Sequence, residues 1–267
     1  MKRPGTELGT LSTKLFAYVQ LKKKETLRTG EIRSVLNISQ SQERDLLYRL
    51  SDSGWIVRLK RGLYLVPQRI PAGGKYSPGI PKILQKRMEE EDGTYQVCGP
   101  SAFSYHGFDD QIPNVTYVYN NRISGNRMIG KLTFQFIKIK DTRLGATVTV
   151  RTRGEDQLVY SSKARTLMDA VYDWSRFNGL PQGYNWIRKA VQKEQEIAAK
   201  LVEVCIRYGN QATARRIGYL LDQSGQPPEL LNKLKRGISD SAALIPWIPN
   251  KAAKGEANRK WGVIVNG

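Results

Sequence analysis

Residues 26–67 read TLRTGEIRSVLNISQSQERDLLYRLSDSGWIVRLKRGLYLVP, and this stretch decides the fold of the N-terminal part of the chain. Two short helical patterns flank a tight turn at residues 37–39, and alternating apolar residues follow them. In the second pattern Leu46, Leu47 and Leu50 recur on one side at helical spacing, which is typical of a helix face that packs into a core. The stretch therefore predicts two packed helices followed by a two-stranded hairpin.

The second of these helices has clear signals at both ends. Ser39 can cap the exposed amides, and Gln42, three residues later, can complete a capping box. Glu43 in the first turn favours the positive end of the helix dipole. Gly54 follows the last periodic position and tolerates the left-handed conformation in which many helices end. We therefore expect one helix between Ser39 and Gly54.

The side of this helix away from the leucines is polar. Its side chains can donate hydrogen bonds to base edges or phosphates, as a recognition helix in a DNA major groove does. The DNA-binding residues predicted on this helix are Gln40, Ser41, Gln42, Arg44, Tyr48 and Arg49.

The predicted hairpin consists of residues 55–60 and 63–66, and Pro67 stops the second strand. Gly62 can supply the positive φ of a tight turn. Cations at the hairpin can reach phosphates or a minor groove, and the DNA-binding residues predicted here are Arg58, Lys60 and Arg61. Helices, turn and cationic hairpin together predict a winged helix-turn-helix that binds double-stranded DNA. The alternative is that the same charges solvate a winged helix used for protein contacts.

The charge of the whole chain is consistent with a polyanionic partner. The chain has 267 residues and a formal net charge of +19, and its positive charge is spread along its length. Such a field suits a long polyanion better than a small acidic substrate. No apolar run approaches the ~20 residues of a membrane-spanning helix, so we expect no membrane association.

Beyond residue 70 the sequence predicts a mixed domain. β-Branched and aromatic runs between residues 95 and 160 are separated by turn residues, which indicates a largely antiparallel sheet. The later pattern is helical over residues 187–208, 211–223 and 228–236, and a glycine follows each segment. We expect the α+β class, with a winged helix-turn-helix domain at 1–70 and an α+β domain with C-terminal helices at 71–267.

Few residues in the chain could form a catalytic or metal site. His106, the only histidine, precedes Gly107 at a predicted helix end, where a capping role is favoured over a hydrolytic site. Cys98 and Cys205 lie far apart in sequence and are expected to be small buried residues rather than a disulfide or metal ligands. The two cysteines are consistent with a cytoplasmic protein.

One arrangement could support a nuclease. Asp109 and Asp110 could bind Mg²⁺, with Lys138 or Lys140 completing a catalytic trio. However, no acidic residue lies two positions before either lysine, and a solvated loop explains the aspartates more simply. We expect no enzyme, no cofactor and no metal, with a nuclease targeted by the winged domain as the alternative function.

Four motifs, in their order along the chain, resemble those of a known family. They are residues 61–64 (RGLY), 101–108 (SAFSYHGF), 162–169 (SKARTLMD) and 215–221 (RRIGYLL). The third is similar to the block S-x-E-R-x-L-L-D of the AbiEi-type antitoxins of bacterial abortive-infection (type IV) toxin–antitoxin systems. It departs from that block at residues 163–164, where Lys-Ala stands in place of the frequent Pro-Glu.

The resemblance extends from the helix-turn-helix to about Gln223, and it implies a repressor that takes part in phage defence. Its winged domain would bind inverted repeats in its own promoter, and its C-terminal domain would antagonise a cognate nucleotidyltransferase-like toxin. Within the third motif, Arg165 and Asp169 are spaced for an ion pair on a helix surface, worth a few tenths of a kcal/mol. A part in a toxin-related surface is the alternative for these two residues.

Overall fold

The computed structural model describes residues 9–152, 156–239 and 243–266. The chain divides into two compact units. The first unit comprises the described residues of Met1–Gly93, Gly125–Phe134 and Thr152–Gln157. The second unit comprises the described residues of Thr94–Ser124, Gln135–Arg151 and Leu158–Gly267.

The predicted α+β class is observed, with eleven α-helices among the described residues. The helices are α1 (Thr10–Leu21), α2 (Glu31–Leu36), α3 (Gln40–Asp52), α4 (Ile80–Glu90), α5 (Gly99–Tyr105), α6 (Lys163–Tyr172), α7 (Trp174–Phe177), α8 (Gln182–Lys193), α9 (Ile197–Tyr208), α10 (Gln211–Gln223) and α11 (Pro228–Lys235). The strands are β1 (Thr26–Arg28), β2 (Val57–Lys60), β3 (Leu63–Leu65), β4 (Tyr95–Val97), β5 (Val115–Asn120), β6 (Gly125–Ile129), β7 (Leu132–Lys138), β8 (Thr147–Arg151), β9 (Gln157–Ser161), β10 (Ile245–Pro246), β11 (Glu256–Asn258) and β12 (Val263–Val265). None of the described helices is both long enough and apolar enough to cross a membrane.

The core of the first unit lies among α1, α2, α3 and a small sheet. Leu46, Leu47 and Leu50 are buried there, as the helical spacing predicts. The sheet has the order β1-β3-β2, and both pairings are antiparallel. Strand β1 was not predicted, because three residues are too few to show an alternating pattern.

The start of α3 has the predicted capping box. The Ser39 hydroxyl accepts a hydrogen bond from the Gln42 amide at 3.2 Å, and the Gln42 side-chain oxygen accepts one from the Ser39 amide at 2.8 Å. Glu43 is fully buried, and its carboxylate accepts a hydrogen bond from the Gly30 amide at 2.8 Å. Because Gly30 precedes α2, Glu43 fixes the start of α2 against α3.

Helix α4 belongs to the first unit and is joined to its sheet by ion pairs. Glu90 on α4 pairs with Arg28 on β1 and with Lys60 on β2. Lys86 lies 2.9 Å from Glu25, just before β1. The domain boundary expected after residue 70 therefore lies within the first unit.

Of a six-stranded mixed sheet in which β6 is an edge strand, the second unit contains most of β7 and β9 and the strands β5, β4 and β8, in the order β7-β5-β4-β9-β8. Strand β4 pairs antiparallel with β5 and parallel with β9, so the expectation of a largely antiparallel sheet missed a central parallel pair. Helices α6 and α8–α11 bury one large apolar core, and a short sheet with the order β10-β12-β11 follows them.

The single helix predicted over residues 187–208 is wrong, because α8 ends at Lys193 and α9 begins at Ile197. Val191 is the last buried residue of α8. The next positions on that face of a continuous helix would be Glu194 and Gln195, whose burial would be costly. Both residues are exposed where the chain turns.

Candidate nucleic-acid interface

An open groove of about 1270 Å³ lies in the first unit between the polar face of α3 and the β2–β3 hairpin. Six of the nine residues predicted to bind DNA line this groove. They are Gln40, Ser41, Arg44 and Tyr48 of α3 and Arg58 and Arg61 of the hairpin.

Helix α3 turns long polar side chains into this groove. The Arg44 side chain is 80% exposed, and its closest charged neighbour is Asp45 at 3.8 Å. Tyr48 is 68% exposed, so its ring and hydroxyl are accessible from solvent. Neither residue packs into the core, so both are available to a ligand in the groove.

The other three residues predicted to bind DNA do not line the groove. Gln42 completes the capping box. Arg49 is exposed on α3, where its Nε donates to the Asp45 carbonyl at 3.3 Å, and it does not line the groove. Lys60 points to α4, where its ammonium lies 3.1 Å from Glu90 and 3.2 Å from Glu91.

A β-bulge explains the position of Lys60. Arg58 pairs with Tyr64 and Lys60 pairs with Leu63, so the register shifts by one residue between the two cations. A regular strand would place residues 58 and 60 on the same face, whereas a bulge changes the direction of the next side chain. The turn itself forms as predicted, with Gly62 at φ +77°.

The groove also contains residues that sequence reasoning missed. Thr29, Ser51, Asp52 and Tyr64 line it from segments adjacent to α3 and the hairpin. Met128 and Gly130 line it from the β6–β7 hairpin, more than sixty residues later in the chain. No local pattern could place that hairpin beside α3, since its position depends on the tertiary fold.

In the second unit, Arg165 and Asp169 form a buried ion pair rather than the predicted surface pair. Both side chains are 0% exposed, and the Arg165 Nε lies 2.9 Å from each carboxylate oxygen of Asp169. The Arg165 guanidinium also lies 4.6 Å from the centre of the Tyr208 ring. Helix α6 is buried nearly all round by other helices, so this pair cannot form part of a contact surface.

The burial of this pair affects proton binding. Burial raises the pKa of the Asp169 carboxyl to about 6, although the adjacent Arg165 charge acts in the opposite direction. Arg143 contributes a second, more distant cation, with Nη2 at 3.8 Å from Asp169. The charges in this cluster therefore stabilise the carboxylate against the cost of its desolvation.

His106 lies in the second unit, after α5. Its Nε2 is 2.8 Å from the Ser161 carbonyl oxygen, so that this nitrogen carries the proton and donates it. Burial lowers the pKa of His106, and the nearby Lys163 charge adds to that effect. The ring joins the end of α5 to the end of β9, which is a structural contact.

The aspartate and cysteine residues considered as catalytic or metal-binding candidates also make local or core contacts. Asp109 accepts a hydrogen bond from the Gln111 amide at 3.0 Å, as in a local turn. Cys98 and Cys205 are free and buried, and burial raises the pKa of both thiols. Within residues 9–152, 156–239 and 243–266, no group of three His, Cys, Asp or Glu side chains could hold a metal ion.

Fold and groove together define an α+β protein in which a polar helix face and a cationic hairpin line one open surface. Residues 17–67, which contain both, match the family described as "Transcriptional regulator, AbiEi antitoxin". The resemblance to AbiEi-type antitoxins is thereby confirmed over this part of the chain.

The fold also has a counterpart among solved structures. The chain is similar to the crystal structure of the RV2827C protein from Mycobacterium tuberculosis, with a TM-score of 0.60 and 14% sequence identity. The alignment covers 98% of this chain and 94% of that chain, so both units are included. A search of curated protein sequences found no match.

Proposed function

We propose that the chain is a DNA-binding transcriptional repressor and an antitoxin. The first unit acts as a winged helix-turn-helix that binds inverted repeats in the chain's own promoter. The observation that carries this proposal is the groove itself. It brings Arg44, Tyr48, Arg58 and Arg61 together within the segment that matches a family of antitoxin regulators.

The geometry of α3 suits direct reading of bases. Recognition helices contact base edges mainly through residues near their N-terminus, and Gln40 and Ser41 are the first two residues of α3. Arg44 follows one turn later on the same exposed side and can form two parallel hydrogen bonds with guanine. The buried leucines hold this side outward, because any rotation of α3 would expose them.

The hairpin supplies contacts of a different kind. Arg58 and Arg61 are exposed and line the groove opposite α3. Contacts from such cations to phosphates position a protein on the duplex and release counterions. The formal charge of +19 adds long-range attraction to the same polyanion.

A gel-shift titration tests DNA binding. The probe is a labelled duplex of the DNA upstream of the chain's own gene, and a scrambled duplex shows the non-specific level. We expect Arg44→Ala and Arg61→Ala each to weaken binding by about 1–3 kcal/mol, because each removes a base or phosphate contact. Affinity of the wild type should also fall steeply as salt increases.

The matched control is Lys189→Ala, since Lys189 is an exposed cation on α8 in the second unit. It should leave binding unchanged. Wild-type affinity in both arginine variants, or a flat salt titration, would show that the groove is not the DNA site.

The antitoxin activity is proposed for the second unit. Its support is the family matched by the first unit, together with the separate large apolar core that makes the second unit a folded body of its own. The partner would be a nucleotidyltransferase-like toxin. The discovery of a nucleotidyltransferase gene beside the chain's own gene would support this part of the proposal, and growth rescue on co-expression with the encoded protein tests it.

A further inference from the structure

Residues Gly125–Phe134, which contain β6, the turn after it and the first three residues of β7, belong to the first unit, although the chain segments on both sides of them belong to the second. The turn is held against the β2–β3 hairpin. Gly130 has φ +61°, and a Cβ added there would lie 3.4 Å from a methyl carbon of Val57 on β2. Ile129, the last residue of β6, is buried. The β6–β7 hairpin is therefore anchored beside the candidate DNA groove.

Strand β6 has three consecutive exposed residues, although side chains usually alternate between exposed and buried along a strand. These are Asn126, Arg127 and Met128, and β6 is an edge strand of its sheet. Met128 is 77% exposed and lines the groove together with Arg44 and Tyr48. An exposed methionine beside cations contributes nothing to the core, whereas it suits a surface that binds a ligand.

Two exposed cations lie close to Met128 along the chain. Arg127 precedes it on β6, and Lys131 follows the Gly130 turn and lines, together with Met128, a pocket next to the groove. Across the residues that the structure describes, no ion pair joins either of them to a carboxylate, in contrast to Lys60, which has two acidic partners. Their charge is available to an anionic ligand.

We propose that Gly125–Phe134 is a second wing that contacts the same DNA duplex as α3. Arg127 and Lys131 bind backbone phosphates, and Met128 makes apolar contact with the DNA surface between them. Apolar side chains are used in this way by proteins that approach the minor groove. This inference rests on the proposed function, and it commits to duplex DNA because Met128 shares one groove with Arg44 and Tyr48.

The experiment separates the two kinds of contact by their salt dependence. Full-length variants are titrated against a random-sequence duplex of about 30 base pairs at several salt concentrations. For Arg127→Ala combined with Lys131→Ala, the slope of log affinity against log salt should fall by about 2, because two phosphate contacts are lost. For Met128→Ala, affinity should fall about threefold to tenfold with the slope unchanged, because an apolar contact releases no counterion.

Two matched variants in the second unit serve as controls. Lys189→Ala removes an exposed cation, and Ile112→Ala truncates an apolar side chain that is 86% exposed. Neither should change affinity or slope. The thermal midpoint of each variant is measured, and only variants that unfold at the wild-type temperature are compared.

The proposal fails if the double cation variant retains the wild-type slope and Met128→Ala retains the wild-type affinity. In that case Arg44→Ala, titrated against the duplex of the DNA upstream of the chain's own gene, distinguishes two outcomes. A loss with Arg44→Ala leaves DNA binding by α3 intact and excludes only the second wing. Wild-type binding by Arg44→Ala as well would exclude the proposed DNA-binding function itself.

Discussion

Arg58 and Lys60 show how much a single backbone irregularity decides. They stand two positions apart in one strand and carry the same charge, yet only Arg58 lines the groove. The bulge between them turns Lys60 to Glu90 and Glu91, where its charge is neutralised. A cation count over the hairpin cannot distinguish these two roles.

The first prediction compares these two cations directly. Arg58→Ala should weaken DNA binding about tenfold, whereas Lys60→Ala should bind within about twofold of the wild type, because its ammonium already has two carboxylate partners. The loss of its partly exposed ion pairs should cost less than about 1 kcal/mol of stability. Fluorescence anisotropy with a labelled duplex measures the affinities, and an equal loss in both variants would contradict the assigned orientation.

The second prediction concerns the protonation of His106. Its pKa is lowered by burial, so the neutral ring is favoured in the folded state. Its contribution to stability is therefore complete above the unfolded pKa of about 6.5, and it is lost as pH falls from that value through the lower pKa of the folded state. Because His106 is the only histidine, an NMR titration of its ring resonances measures this pKa without assignment ambiguity. A folded-state pKa at or above 6.5 would refute the prediction.

The third prediction concerns the buried pair of α6. Asp169→Ala should destabilise the fold by about 3–5 kcal/mol, because it leaves Arg165 buried without the carboxylate that accepts from its Nε. Replacing both residues with apolar side chains of similar size, Arg165→Met with Asp169→Leu, should recover most of that loss. Chemical denaturation measures the free energy of unfolding in each case.

The control for this pair is another with the same spacing. Lys200 and Glu196 are four residues apart on α9 and lie 2.7 Å from each other, but both are exposed. Lys200→Ala should leave the denaturation midpoint unchanged. The prediction would be contradicted if the double apolar variant of Arg165 and Asp169 were no more stable than Asp169→Ala. That result would show that the fold needs the charges of this pair.

At the scale of elements, helix α3 is defined by its ends as much as by its apolar face. The capping box at Ser39 satisfies two backbone groups that would otherwise lack partners. The buried Glu43 adds a contact with the start of α2 that a view of one helix alone could not reveal. The sequence correctly indicated an acidic residue in the first turn, but tertiary packing determined its function.

The fourth prediction tests the cap. Ser39→Ala should lower stability by about 1 kcal/mol, because it leaves the Gln42 amide without its partner. Ser41→Ala, two positions later and exposed, is the matched control and should have little effect on stability. Thermal unfolding measures both variants, and equal midpoints would mean that the capping box contributes nothing.

The break between α8 and α9 gives a second lesson at this scale. The apolar spacing of residues 187–208 is helical on both sides of the break. Periodicity alone therefore predicts one continuous helix in place of α8 and α9. The polar residues 194–196 indicate the turn only when the buried face of α8 is known. Short elements such as β1 were missed for a related reason, since hydrogen bonds to β3 rather than local preference stabilise them.

At the scale of the whole molecule, the proposal assigns repression and antitoxin activity to different units. The fifth prediction therefore uses the full chain with Arg44→Ala and Arg61→Ala combined. This variant should lose repression of a reporter under the chain's own promoter, because the groove no longer binds DNA. It should still rescue growth when co-expressed with the nucleotidyltransferase-like toxin that is proposed as its partner.

Immunoblots confirm equal amounts of the wild type and the variant in this assay. Loss of growth rescue at equal protein levels would contradict the division of activities, and it would place the antitoxin activity on the DNA-binding surface. Retained repression would contradict the role of the two arginines.

The sequence by itself determined the helices and hairpin of residues 26–67, the apolar face of α3 and six of the residues that line its groove. These features follow from local chemistry: helical spacing, a capping box and a glycine turn act between residues a few positions apart. Only the tertiary structure decided that Lys60 is neutralised by α4, that Arg165 and Asp169 are buried, and that Met128 reaches the groove. Those outcomes depend on contacts between residues far apart in the chain, and no pattern within one element records them.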